Sequence, residues 1–248
     1  LDKADAFDLR FNPKQGHPTT GKAKHVRVLA DIPEVEPFGW RRFHLVPDGT
    51  RTYYPTRRMF YHSPEPCVME NEFLRCVINP NGTVDMTDKL TGYTYINQFT
   101  FEDNGDVETM YVHLTPFSNK TVYSTGSQAD ISLIYDNPLG CQYEISLVMH
   151  IPDGANGTKK RSEYVTDLPI TLTLTLNKGA RRLDADIKID NRAREHRLRV
   201  LFPTNLSSAD KSRGGQPFDV VERPIHSEAN IIGVGEQPYP THPMQDIC

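Results

Sequence analysis

From Thr171 to Asp190 the chain reads TLTLTLNKGARRLDADIKID, with an apolar residue at almost every second position. A repeat of two matches the pleat of a β-strand, where successive side chains point to opposite faces, and does not match the 3.6-residue turn of a helix. Leu172, Leu174 and Leu176 share one face. After Asn177-Lys178-Gly179, Leu183, Ala185, Ile187 and Ile189 share the next, so the stretch predicts a hairpin. Leu198, Val200 and Phe202 continue the pattern and predict a third strand beside the hairpin, forming a meander with one apolar and one wet face. Ile131 to Tyr135 with Tyr143 to His150, across Asn137-Pro138-Leu139-Gly140, reads as a second pair. Val26 to Ala30 with Trp40 to Val46 reads as a third. No stretch holds a helical period over three turns. The expected fold is therefore all-β, an antiparallel β-sandwich.

The stretch Met69 to Tyr95, MENEFLRCVINPNGTVDMTDKLTGYTY, adds two turns. In Asn79-Pro80-Asn81-Gly82-Thr83, proline fixes one φ while glycine and asparagine tolerate positive φ. Asp88-Lys89-Leu90-Thr91-Gly92 starts the next return. Glu70, Glu72, Asp85 and Asp88 on these strands could form a carboxylate pair of the kind that glycoside hydrolysis uses. Patterning favours the plainer reading, in which they are the solvated face of a meander.

Six prolines between Pro33 and Pro66 suggest a boundary, because proline is confined to turns, strand edges and linkers. The expected organisation is the tail of a small β-sandwich in 1–50, a linker in 51–66 and a larger β unit in 67–248. The chain begins without Met, which suggests an excised piece, and that unit is expected to be incomplete at its end. With 37% hydrophobic and 24% charged residues the 248-residue chain can bury a sizeable core. A formal charge of -4 makes nucleic acid and anionic membrane poor partners. No apolar run reaches the length of a membrane span.

Cys67, Cys76, Cys141 and Cys248 lack CxxC spacing and read as buried thiols. The sequons at Asn81, Asn119, Asn156 and Asn205 include two NGT turns. HExxH, GxSxG, GxGxxG and P-loop spacings are all absent. His62-Ser63-Pro64-Glu65 is an isolated metal-like match, Arg213-Gly214-Gly215 reads as a loop, and Arg192, Arg194, Arg197 and Arg199 read as a solvated strand face.

Met69 to Tyr95, followed by FEDNGDVETMYVHLTP, LRVLFPTN and FDVVERPI, resembles in order and spacing the C-terminal β region of glycoside hydrolase family 38, the α-mannosidases. The resemblance implies a galactose-mutarotase-like supersandwich preceded by part of a smaller β domain. It also implies a parent enzyme with an N-terminal barrel and a helix bundle, retaining chemistry on terminal α-mannosides, one zinc ion and an Asp nucleophile. Nucleophile and zinc ligands have no matching segment here, so the fragment alone is expected to be inactive and to bind no zinc. Tyr111 in GDVETMYVHLTP matches a family tyrosine that reaches from the β domain to the substrate. Asp103, Asp106 and Glu102 beside it would be rim residues. A phenol suits that task, since it can hydrogen-bond a carboxylate or ring oxygen while its ring packs beside the sugar. The implied partners are the barrel, the helix bundle and an α-mannoside or oligosaccharide, with no nucleic acid or membrane and a cytoplasmic setting. A different class stays open: a free-standing carbohydrate-binding module using Trp40, Tyr53, Tyr54, Phe60 and Tyr61. Sugar epimerisation finds no matching His and Glu pair.

Overall fold

A computed structural model describes residues 60–107 and 113–225, the backbone of 5–11 and 19–25, and between these residues 30, 32, 35–44 and 46. The described residues form strands and one short 3-10 turn, Ser124–Gly126, and no helix among them is long and apolar enough to cross a membrane. The strands run β1 (Asp5–Phe11), β2 (Thr19–His25), β3 (Val68–Glu70), β4 (Leu74–Ile78), β5 (Val84–Asp88), β6 (Thr94–Gln98), β7 (Thr100–Gly105) and β8 (Val122–Tyr123). They continue as β9 (Ala129–Asn137), β10 (Gly140–Pro152), β11 (Ala155–Asn156), β12 (Lys160–Arg161), β13 (Val165–Asn177), β14 (Asp184–Ile189), β15 (His196–Leu201), β16 (Lys211–Gln216) and β17 (Asp219–Pro224).

Three antiparallel sheets build the main body, in the orders β14-β13-β10-β9, β3-β4-β5-β6 and β15-β7-β8. The fold is all-β, as the alternating text requires. β10 and β13 pair over thirteen positions, with Tyr143 opposite Leu174, Ile145 opposite Leu172 and Leu147 opposite Ile170. Each of these side chains is at most 4% exposed, while Ser146 and Thr173 between them face away from the core. They join Met69, Leu74, Cys76, Ile78 and Val84 of the second sheet, Phe99 between β6 and β7, and Phe101 of the third sheet in one cluster. The sheets therefore close on a common interior, and burying each large apolar side chain there contributes about 1.5–3 kcal/mol.

The predicted turns occur where the chemistry puts them. Asn79 to Thr83 joins β4 to β5, with Gly82 at φ +83 and the Asn81 carboxamide accepting the Thr83 N–H. Gly82 also lies against the opposite sheet: a Cβ there would stand 3.0 Å from Leu147 and 3.2 Å from Ile145. Glycine is needed at that spot for both conformation and space. Asp88 to Gly92 joins β5 to β6, Asn137 to Gly140 joins β9 to β10, and β13 returns into β14.

Three expectations change. β15 does not extend the β13–β14 hairpin but pairs with β7, from His196 opposite Gly105 to Leu201 opposite Thr100. Alternation marks a strand without marking its neighbour, and here cross-strand Arg199 and Glu102 bind each other. Ala30, Trp40 to His44 and Val46 are not strands, and Trp40 and Phe43 are exposed; residues 26–29 and 45 lie outside the described residues. Arg213-Gly214-Gly215 belongs to β16, paired with β17, rather than to a loop.

Tyr61 and His62 donate their backbone N–H groups to the Asp136 carboxylate. Ser63 meets the Tyr143 hydroxyl at 2.7 Å, so residues 61–63 are stapled to the β9–β10 hairpin. Cys76 and Cys141 are fully buried, and burial pushes each thiol up to about 12. Only about one molecule in ten thousand would carry either thiolate at pH 8. A thiol-alkylating reagent at pH 8, read by peptide mass mapping, should leave Cys76 and Cys141 unmodified in the native chain and modify both in denaturant. Rapid native labelling of either would show that the interior opens.

Candidate functional site

The four acids of Met69 to Tyr95 hold hairpins together. Glu70 receives Lys89 at 2.8 Å and Arg75 at 2.5 Å, Glu72 accepts the Gly179 N–H, Asp85 accepts the Asn97 N–H, and Asp88 accepts Leu90 N–H and the Thr91 hydroxyl. Lys89 above all holds Glu70 below the usual carboxylate range, and backbone N–H groups do the same for Glu72 and Asp88. A glycosidase's general acid needs the opposite environment, one that keeps a proton on the carboxyl.

The other acidic text, Phe101 to Asp106, lies along β7 and beyond its end. As the central strand between β15 and β8, β7 is covered on both sides, and its residues are buried throughout. Asp103 therefore does not stand at a rim. It is 0% exposed; one oxygen accepts Arg161 Nη2 at 2.5 Å, and the other accepts a short hydrogen bond from His196 Nδ1. Arg161 also donates to the carbonyls of Lys120 and Pro152, and His196 Nε2 is 3.0 Å from Asn191 Oδ1. Glu102 is likewise buried, taken by Arg199 and by Asn104 at 3.3 Å. Its hydrogen bond raises the Tyr123 phenol above the ordinary range. A charge in an apolar interior is tolerated only with such partners.

Asp106 is half-buried and has a different task. Its own N–H donates to the Glu195 carbonyl, Oδ1 accepts the Leu114 N–H at 3.4 Å, and Oδ2 is 3.3 Å from His113 Nδ1. Val107 N–H donates to the Leu114 carbonyl at 2.9 Å. One carboxylate thus gathers both feet of the segment between Val107 and Leu114. Tyr111 is in that segment, and residues 108–112 lie outside the described residues. Gly105 allows the feet to close, because a Cβ there would come within 2.7 Å of the Pro116 ring.

The sequence reading missed Arg161, His196, His113 and Arg199. Arg161 hides in the charged run TKKRSE, and His196 in REHRLR, where nothing local signals a buried partner. Among the described residues no group of three or more His, Cys, Asp or Glu side chains could hold a metal ion, so these residues do not fit the zinc of the family. Of the aromatic platform, Trp40, Phe60 and Tyr61 are exposed, and Tyr53 and Tyr54 lie outside the described residues.

The described residues thus form an antiparallel all-β body with the buried ion pairs of Asp103 and Glu102 on its strand β7. The family model described as the glycosyl hydrolases family 38 C-terminal domain matches residues 69–245, and the chain belongs to that family. A curated relative from Halalkalibacterium halodurans, named "Putative mannosylglycerate hydrolase", is 29% identical over 187 residues, covering 68% of this chain and 20% of its own length. A family 38 glycosyl hydrolase structure from Enterococcus faecalis superposes with a TM-score of 0.61 at 29% identity, over 64% of this chain and 21% of that one. An α-mannosidase structure from Enterococcus faecalis V583 shares the fold, with a TM-score of 0.66 at 23% identity over 91% of this chain and 27% of that one. The chain spans about a fifth of the length of the curated relative it matches.

Proposed function

We propose that the chain is the non-catalytic β part of a retaining glycoside hydrolase that removes terminal α-mannosides, and that it completes the active-site wall with Tyr111. In this reading the barrel and helix bundle of the same enzyme supply the nucleophile and the zinc ion. The larger β unit starts near residue 67, and the enzyme works in the cytoplasm on short mannosides. The observation that carries the reading is the clamp made by Asp106, three positions along the chain from the buried Asp103, which draws together Val107 and Leu114, the described residues on either side of the Tyr111 segment. A substrate-contacting loop needs such a base, since a displacement of an ångström costs much of the rate. Family membership supports the hydrolase class.

The test is turnover of an aryl α-mannoside by the polypeptide that carries this chain together with its barrel, with and without a chelator. Wild type should lose activity with zinc removal. Tyr111→Phe should lower kcat/KM by about tenfold, the loss of one hydrogen bond to substrate. Unchanged kinetics in Tyr111→Phe would make the tyrosine structural. Absence of turnover on every α-mannoside would move the carbohydrate-binding-module reading ahead.

A further inference from the structure

A groove of about 680 Å³ opens beside this anchor, between the β11–β12 excursion and the link from β14 to β15. Its volume falls within the roughly 300–1,000 Å³ typical of small-ligand sites. We propose that it is a second saccharide subsite, which takes a neutral mannose chain of two to three units. The choice of sugar rests on the glycosidase reading above; the groove itself rests on its own geometry.

The walls are fixed by backbone bonds. Gly154 N–H donates to the Arg194 carbonyl, Ser162 N–H to the Gly154 carbonyl, and Asp153 N–H to the Tyr164 carbonyl, while Ala155 N–H donates to a Glu195 carboxylate oxygen at 2.6 Å. The ligand would meet a frame that is already formed, which lowers the ordering cost of binding.

Its charges are matched. Lys160 pairs with Glu163 at 2.6 Å, Arg194 stands 3.5 Å from Asp153, and Arg161 at the floor is bound to Asp103. A groove whose cations are all answered by acids does not select an anion, but it offers many donors and acceptors side by side. Sugar hydroxyls both donate and accept, and so can use the two kinds at once. Two polar atoms of lining residues are buried without a hydrogen bond: Arg161 Nε, in a residue only 4% exposed, and Asp153 Oδ1, for which Arg194 Nε at 3.5 Å is an ion-pair neighbour that makes no hydrogen bond. An acceptor and a donor left unmatched in one lining cost free energy that an incoming hydroxyl, with a small shift of the exposed Arg194, would recover. At the rim Tyr164 is 83% exposed, although the carbonyl bond to Asp153 and a Ser162 hydroxyl at 3.1 Å from its N–H hold its backbone. An exposed ring on a fixed backbone gives a sugar face a stacking surface at little entropic cost.

Calorimetric titration of the full chain with a neutral mannose trisaccharide tests this, with a mannoside of equal length ending in a carboxylate as the comparison ligand. The neutral sugar should bind, Tyr164→Ala should weaken it about tenfold, and the acidic ligand should bind no better. Tyr164 is exposed, so its replacement leaves the interior intact, and Asp153→Asn supplies a second variant with the same expected direction. No binding, binding indifferent to both substitutions, or a clear preference for the acidic ligand would each overturn the subsite. Aryl α-mannoside turnover by the wild-type enzyme is a separate readout, so failure of the hydrolase reading would not be confused with failure of the groove.

Discussion

Asp103→Ala is expected to lower the free energy of unfolding by about 3–5 kcal/mol, because it leaves a buried guanidinium without its counter-charge. Arg161 and His196 both lean on this one carboxylate, and neither has solvent to turn to: their side chains are 2% and 4% exposed. Denaturant unfolding of Asp103→Ala, Arg161→Ala and the double variant makes the measurement. The double variant should cost clearly less than the sum of the singles, since removing the second partner also removes the stranded charge. Two additive losses below about 1 kcal/mol would mean that water reaches the pair and that Asp103 is not held as a buried ion pair.

Phe101→Ala should cost a similar amount, about 3–5 kcal/mol, for a different reason. Phe101 is fully buried two positions before Asp103 on β7, opposite Val200 of β15, and it belongs to the cluster shared by all three sheets. Removing the ring takes away apolar contact and leaves a cavity that three sheets cannot all move to fill. Thermal unfolding should shift down by roughly 10 °C. A shift under about 2 °C would show that β7 packs loosely. Nothing ionic is touched, so the two substitutions separate the charge anchor from the packing that surrounds it.

The local parts of this fold are written in local text. Asn79-Pro80-Asn81-Gly82 makes its turn from four neighbouring residues, and Leu172, Leu174 and Leu176 find one face without reference to anything distant. β15 shows where that legibility ends, because Leu198, Val200 and Phe202 fit any sheet with an apolar face, and the choice of β7 depends on partners far along the chain. The same limit hides the anchor. Glu102-Asp103-Asn104 reads as a wet loop until Arg161, His196 and Arg199 arrive from 58, 93 and 97 residues away. Composition says that acids avoid interiors; only a tertiary arrangement says which cations make the exception. The family resemblance identified the chain's relatives correctly, while the positions it suggested as rim residues separate into a buried pair, Glu102 and Asp103, and a clamp, Asp106.

The pairing of β7 with β15 also bears on how the chain assembles. The β3–β6 sheet and the β9, β10, β13 and β14 sheet are built from neighbours in sequence and can form as short-range hairpins. The third sheet must wait for a closure across more than ninety residues, which carries a larger entropic cost and slows folding. Asp103 meets His196 only at that closure, and Asp106 meets Glu195 at the same seam. The loop base therefore comes into being with the last long-range event rather than with the hairpins. A nascent chain released before His196 would hold two of the three sheets and still have no platform for the loop.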